Sequence, residues 1–92
     1  MDYAYDMRNR IANYIIKHYG FSVNLRGVII KDLRNCSLTW MKLMFDTLEE
    51  KQDYFRGILD RKESKFDNDY AKWKYLLTTV NNTCHSIRNN ED

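Results

Sequence analysis

Four side chains of this sequence are of types that bind metal ions: His18, Cys36, Cys84 and His85. Zinc sites in short chains usually take their ligands in closely spaced pairs, because one turn of the backbone can then present two ligands together. The only close pair here is Cys84–His85, and adjacent residues of a helix point about 100° apart. Cys84 also falls in an apolar helical pattern, where cysteine acts as a small hydrophobic residue. The sequence therefore predicts no metal site and no cofactor.

The sequence also lacks the patterns by which catalytic sites are recognised. Its three glycines, Gly20, Gly27 and Gly57, are isolated, so no glycine-rich loop is available to surround a phosphate group. Glu49 and Glu50 are adjacent carboxylates, but they lie in a charged helical stretch that is typical of solvated surface. A cysteine nucleophile needs an accessible thiol of low pKa, and neither cysteine lies in a pattern that predicts one. We therefore expect a protein that is not an enzyme.

The composition is that of a single folded domain spanning residues 1–92. Hydrophobic residues make up 43% of the chain and charged residues 30%, the balance of a globular protein rather than a disordered one. Proline is absent and only three glycines occur, which favours long helices over a sheet protein with many turns. The N-terminus is polar and the longest aliphatic run is only residues 28–30. We therefore expect a cytoplasmic protein that does not enter a membrane.

An apolar stripe predicts a first helix from about Tyr3 to Tyr19. Gly20 follows at the position where glycine ends many helices in the left-handed conformation. The stripe has the three- and four-residue spacing of one helical face. Its members are Ala4, Met7, Ile11, Tyr14, Ile15 and His18.

The segment 22–36 is ambiguous between helix and strand. Leu25, Ile29 and Leu33 fit one face of a helix, and Asn24 is a candidate cap for its start. Gly27 and the β-branched residues 28–30 disfavour a helix. Three consecutive aliphatic residues also fit a half-buried strand poorly. We predict a short helix, with a strand as the alternative.

Two longer helices are predicted at about residues 38–62 and 69–88. Both have apolar residues at alternating steps of three and four, a heptad pattern that only Gln52 interrupts. Ser37 or Thr39 is suited to cap the first of them, and Asp67 or Asp69 the second. Their short polar linker favours an antiparallel αα-hairpin. We therefore expect an all-α fold, a small bundle of about four helices built on this hairpin. The apolar positions are Leu38, Met41, Phe45, Leu48, Phe55 and Leu59 in the first helix, and Tyr70, Trp73, Leu77, Val80, Cys84 and Ile87 in the second.

Apolar and aromatic residues outside the heptad positions give a first functional signal. Burial beneath the first two helices would account for most of them, and the remainder would form a binding patch or a homodimer face. Aromatic residues make up 14% of the chain, and Trp and Tyr are among the residues that dominate protein interfaces. We therefore favour a non-enzymatic protein-binding module, with a self-associating structural subunit as an alternative. The predicted partner-binding residues are Tyr3, Tyr5, Trp40, Met44 and Tyr54.

Basic residues in the N-terminal third give a second functional signal. Residues 1–36 carry six basic and three acidic side chains, whereas residues 37–92 carry nine basic and ten acidic ones. An anionic partner would meet the first third, which makes a small nucleic-acid-binding regulator the other alternative. A helix-turn-helix fits poorly, because Ile16 and Arg26 occupy positions that usually hold a small and an aliphatic residue. The predicted nucleic-acid contacts are Arg8, Arg10, Lys17, Arg26, Lys31 and Arg34.

The composition, rich in Asn, Tyr, Lys and Ile, resembles that of accessory proteins from AT-rich phages, plasmids or viruses. This resemblance involves no sequence motif. It implies a regulator or inhibitor of a host protein, such as a nuclease or a CRISPR effector.

Overall fold

A computed structural model describes residues 2–90 as an all-helical fold. Over those residues no strand occurs, so the predicted all-α class is confirmed. Two short 3₁₀ turns, Val23–Leu25 and Glu63–Lys65, lie between the helices. The helices are α1 (Tyr3–Tyr19), α2 (Arg26–Asp32), α3 (Leu38–Glu50), α4 (Gln52–Arg61) and α5 (Asp69–Asn89).

Helix α1 begins and ends as its sequence predicts. The backbone N–H of Tyr5 donates to Asp2 Oδ1 over 3.0 Å, which satisfies a donor that the first turn leaves free. Gly20 ends the helix with a φ of 73°, in the left-handed region that glycine adopts without a steric penalty. Of the predicted apolar stripe of α1, Met7, Ile11 and Ile15 are buried in the core, whereas Ala4, Tyr14 and His18 are half-buried.

The ambiguous segment forms the short helix that we predicted. Ser22 caps the 3₁₀ turn that precedes this helix, where its hydroxyl oxygen accepts from the Asn24 backbone N–H over 3.2 Å, and α2 itself has no side-chain cap. The predicted Asn24 cap is therefore wrong, because the chain first makes a 3₁₀ turn and enters α2 only at Arg26. Ile29 and Leu33 are fully buried, so the apolar face outweighs the low helix propensity of the segment.

The single helix predicted at 38–62 is wrong, since Lys51 divides it into α3 and α4. Lys51 has φ −109° and ψ 27°, outside the helical range. Two hydrogen bonds nevertheless continue through it: its N–H donates to Thr47 O over 2.9 Å, and its carbonyl accepts from Phe55 N over 3.0 Å. The break is therefore a bend of one residue that leaves the apolar pattern in phase. A heptad pattern does not show such a bend, which is why the sequence predicted one helix.

Contacts place α5 beside both α3 and α4. Trp40, in the first turn of α3, contacts Asn81 and His85 late in α5. Lys62, just after α4, lies over the ring of Tyr75 in the first half of α5. This order of contacts is the one that an antiparallel pair would show. The number of α-helices in residues 2–90 is five rather than about four, because of the bend at Lys51.

The buried face of α5 differs in part from the predicted heptad. Trp73 is only 1% exposed, as expected, and its indole N–H donates to Asp32 Oδ2 over 2.7 Å. Leu76 is buried where Leu77 was predicted, and Tyr70 is 47% exposed. Asn68 caps the helix in place of the predicted Asp67 or Asp69. Trp73 therefore has a hydrogen-bond partner on α2, Asp32, which the local sequence of α5 does not reveal.

The interior is polar only where hydrogen bonds compensate. Every buried side-chain nitrogen and oxygen in residues 2–90 has a hydrogen-bond partner. The Tyr19 hydroxyl donates to Leu48 O over 2.7 Å and so joins α1 to α3. Burial raises the pKa of this phenol, with the neighbouring Tyr14 adding to the effect. None of the helices described is long and apolar enough to cross a bilayer.

Candidate functional site

The four potential metal ligands lie in separate surroundings. Cys84 is in the core, where its thiol donates to Thr47 Oγ1 over 3.6 Å. His18 packs against Tyr14 on α1, with ring centroids 4.3 Å apart. Over residues 2–90, no group of three or more His, Cys, Asp or Glu side chains is placed to hold a metal ion, and no pocket opens in the surface. The candidates that remain for a functional site are groups of side chains on the outer surface of the helices.

Trp40 is the centre of an aromatic and cationic cluster between α3 and α5. Its indole N–H donates to Asn81 Oδ1 over 3.0 Å, which fixes the ring against α5. His85 lies beside it with ring centroids 4.7 Å apart, and the Arg88 guanidinium carbon lies 5.1 Å from its ring centroid. Trp40 is half-buried, whereas His85 and Arg88 are exposed. The cluster thus presents three large side chains held by contacts within the chain.

The start of α1 lies at the same end of the fold. The guanidinium carbon of Arg8 is 5.9 Å from the ring centroid of Tyr5. Burial raises the pKa of the Cys36 thiol, and the positive charge of Arg8 partly opposes this rise. A contact joins α1 to α3 close to Arg8, since the guanidinium carbon of Arg10 lies 5.1 Å from the ring centroid of Phe45 on α3. Cys36 immediately precedes Ser37, the cap of α3, and Trp40 is in the first turn of that helix. We call the exposed or half-buried set Tyr5, Arg8, Trp40, His85 and Arg88 the end surface.

The other predicted partner-binding residues do not join this surface as one patch. Met44 is 1% exposed and lies in the core, so the prediction that it contributes to a surface is wrong. Its position on α3 looks outside the heptad, but α3 buries a wider face than one heptad stripe. Tyr54, which is 60% exposed, is on α4. It follows Trp40 by 14 residues, about 20 Å along a helical path. Tyr3 is 64% exposed at the start of α1.

A second feature is the arginine that joins α2 to α1. The Arg26 Nε donates to Asn13 Oδ1 over 3.0 Å, and its Nη2 donates to Asn9 Oδ1. Asn9 is itself fixed, since its amide nitrogen donates to Tyr5 O over 2.8 Å. Arg26 is half-buried, and both of its acceptors are neutral. Its positive charge is thus held in place without a carboxylate.

The remaining predicted nucleic-acid residues lie on α1 (Arg10 and Lys17), on α2 (Lys31) and just after α2 (Arg34), and the Arg10 guanidinium carbon is 5.1 Å from the ring centroid of Phe45 on α3. Arg10, Lys17, Lys31 and Arg34 are all exposed. The two ion pairs within residues 2–90 are Lys72–Glu63 and Lys74–Asp32, and both use lysines of α5. None of the basic residues of the N-terminal third therefore has a carboxylate partner in that range. We call Arg10, Lys17, Arg26, Lys31 and Arg34 the basic face. Arg8 belongs to the end surface instead.

Sequence reasoning missed the residues that organise both surfaces. Asn9 and Asn13 were not among the predicted site residues, and the i, i+4 spacing of two amides was the signal that they could hold one side chain. Asn81, His85 and Arg88 have a similar spacing on α5. Their meeting with Trp40 depends on how α3 crosses α5, which no local pattern encodes.

Comparison of this chain with protein-family models, with curated proteins and with solved structures finds no match.

Proposed function

We propose that this protein is a binding module that docks a protein partner through its end surface. The observation that carries the proposal is the fixed, half-buried indole of Trp40 with exposed His85 and Arg88 packed against it. Trp, Tyr and Arg are the residue types that dominate the energetics of protein interfaces. The end surface contains one Trp, one Tyr and two Arg.

The order within the end surface also supports docking. Long side chains lose rotamer freedom when they bind, at about 0.5–1.5 kcal/mol each. Stacking of Arg88 on Trp40 and of Arg8 on Tyr5 reduces that freedom before a partner arrives. We also propose a finer architecture, in which α3–α4 and α5 form the antiparallel pair on which the bundle is built. The contacts of Trp40 with Asn81 and His85, late in α5, support this pairing.

Narrower descriptions of the function stay proposals with less support. Action as a phage, plasmid or virus accessory protein that regulates or inhibits a host nuclease or CRISPR effector is supported by composition alone. A cytoplasmic location is likewise an expectation from the sequence. A second copy of the chain is the alternative occupant of the end surface, and would make the protein a self-associating subunit.

The test is affinity capture from cells that express the protein, with three forms of the chain compared by quantitative mass spectrometry. The forms are the unchanged chain, a double variant Tyr5→Ser with Arg88→Ala, and the control Tyr70→Ser. Tyr70 is a matched control because it is 47% exposed and lies under a lysine, 5.8 Å from Lys74 Nζ to the ring centroid.

We expect one protein to be captured by the unchanged chain and the control but depleted at least about tenfold with the double variant, the effect of losing hot-spot residues. Titration of that purified protein should then show direct binding with the same ranking. The proposal fails if no captured protein distinguishes the double variant from the control.

A further inference from the structure

We infer that the basic face is a second binding surface, and that its ligand is the phosphate backbone of a nucleic acid. This function is separate from protein docking at the end surface. Its central feature is the half-buried Arg26 guanidinium, which two asparagine side chains hold in place. Charges that proteins bury in part are normally paired. The neutral oxygens around Arg26 leave its charge available to an external anion.

The shape of the basic face suits a chain of phosphates. Arg10, Asn13 and Lys17 lie on one side of α1, because their spacing of three and four residues returns to the same face. Seven residues separate Arg10 from Lys17, a distance of about 10 Å along a helix. One strand of duplex DNA carries a charge every ~3.4 Å of its axis. A stretch of this length therefore spans about three phosphates of one strand.

Helix α2 extends the same field of positive charge. After Gly20 the chain packs back against α1, since Arg26 contacts Asn13 and Asn9 and α2 lies beside α1. Lys31 and Arg34 are exposed on this returning segment. Asp32 does not oppose them, because its carboxylate accepts from Trp73 Nε1 and lies 3.9 Å from Lys74 Nζ. Asp6 is an exposed acidic side chain on α1, about one turn before Arg10.

The composition of the basic face favours nucleic acid over an acidic protein. Protein interfaces have an apolar core from which lysine is depleted. The five members of the basic face are all Lys or Arg. Asn13, the α1 residue to which Arg26 donates a hydrogen bond, has an amide side chain. Phosphate backbones are bound by just such arrays of Lys, Arg and amide side chains.

Fluorescence anisotropy tests this inference, with a labelled 20-base-pair mixed-sequence DNA duplex and a 20-nucleotide single-stranded RNA as probes over a range of salt concentrations. One variant replaces Lys17, Lys31 and Arg34 with Gln. Its control replaces Lys42, Lys51 and Lys65 with Gln, so both variants lose three exposed positive charges. A third variant, Arg26→Lys, keeps the charge but loses the fork that the two asparagines hold.

We expect salt-dependent binding of at least one probe, lost at least about tenfold in the basic-face variant. For duplex DNA the slope of log affinity against log salt should fall by roughly 0.9 per lost phosphate contact. The control should bind within about twofold of the unchanged chain, and Arg26→Lys should bind more weakly than the control. Circular dichroism of each variant checks that the helices persist.

Three results would overturn the inference. The first is no binding of either probe at micromolar protein in low salt. The second is an equal loss of affinity in the basic-face variant and its control, since net charge alone would then explain binding. The third comes from adding a poly-glutamate chain of the same charge: tighter binding of that polymer than of both nucleic acids would assign the face to an acidic protein.

Discussion

At the end surface the cationic side chains lie over aromatic rings, whereas on the basic face most of them meet neither a ring nor a carboxylate within residues 2–90. Arg88 lies over Trp40 and Arg8 over Tyr5. These two guanidinium groups therefore already make cation–π contacts within the fold. Lys17, by contrast, extends into solvent. Two surfaces of one small domain can therefore differ in what they recognise: the first in shape and stacking, the second in charge.

Arg26 and Arg88 show this difference most clearly. The Arg26 side chain is fixed by hydrogen bonds to Asn9 and Asn13, which use two of its five N–H donors and leave its charge uncompensated. The Arg88 side chain is fixed by a π face and is exposed. A guanidinium can thus be ordered in two ways, by hydrogen bonds that join α2 to α1 or by stacking that joins α5 to α3.

The largest expected effect comes from truncating Trp73, a core residue of the fold that carries both surfaces. Trp73→Ala should lower the free energy of unfolding by about 3–5 kcal/mol, the range for truncating a buried large aromatic residue. Trp73 is 1% exposed and its N–H holds Asp32 of α2. Thermal or urea unfolding followed by circular dichroism measures this loss. A loss below about 1 kcal/mol would mean that Trp73 does not hold α2 to α5.

Changes at the two arginines should separate the two regions. Arg26→Ala should cost about 1–3 kcal/mol of stability, because it breaks two hydrogen bonds of a charged group between helices. Arg88→Ala should cost at most about 1 kcal/mol, the worth of an exposed cation–π contact. Urea unfolding of both variants checks the ranking. An equal loss of stability in the two variants would contradict the distinction between an arginine held by hydrogen bonds and one held by stacking.

Alkaline pH should loosen the contact between α1 and α3 that Tyr19 makes with Leu48. Burial raises the pKa of Tyr19 above its ordinary value of 10.0, so the folded state favours the neutral phenol. Its contribution is fully present below pH 10 and is lost as pH rises from there towards the folded-state pKa.

Tyr19→Phe is the matched variant for this dependence. At neutral pH it should cost about 0.5–1.5 kcal/mol through loss of the hydrogen bond to Leu48 O. Above pH 10 its stability should fall less steeply than that of the unchanged chain. Urea unfolding at several pH values measures both, and parallel pH curves would show that ionisation of Tyr19 is not coupled to folding.

The smallest expected effect is at Tyr54, which belongs to neither surface. Tyr54→Ser should change stability by less than about 0.5 kcal/mol, as is usual for an exposed position. Trp40→Ala should cost more, since the half-buried indole bonds Asn81. Sedimentation at several concentrations adds the test of self-association. A dimer that Trp40→Ala disrupts would make a second copy the occupant of the end surface.

Local patterns in the sequence predicted most of the helices, but they did not predict the contacts between helices. The caps Ser37 and Gly20, and the buried Trp73, follow from short-range rules on capping and periodicity. The bend at Lys51 was not predictable, because one distorted residue leaves the apolar spacing unchanged. Met44 was misplaced because a heptad stripe describes contact with one neighbouring helix, whereas α3 packs against both α1 and α5.

The sequence predicted several of the residues that belong to the candidate surfaces, but not which residues lie next to one another in the fold. The charge asymmetry identified the six basic residues of the first third, all of which lie on α1 or on the segment 26–34. Among them, Arg8 lies over the ring of Tyr5. The clamp of Asn9 and Asn13 on Arg26, and the stacking of His85 and Arg88 on Trp40, depend on tertiary contacts between residues far apart in sequence.

The division into two surfaces is tested most directly by nuclear magnetic resonance with the 20-base-pair duplex as titrant. Resonances of the Arg26 Nε–H and of the Asn9 and Asn13 side-chain amides report on the basic face, and that of the Trp40 indole N–H reports on the end surface. We predict that the first three shift progressively with DNA while the Trp40 resonance stays in place. A shift of the Trp40 resonance with unchanged Arg26 and asparagine signals would contradict the assignment.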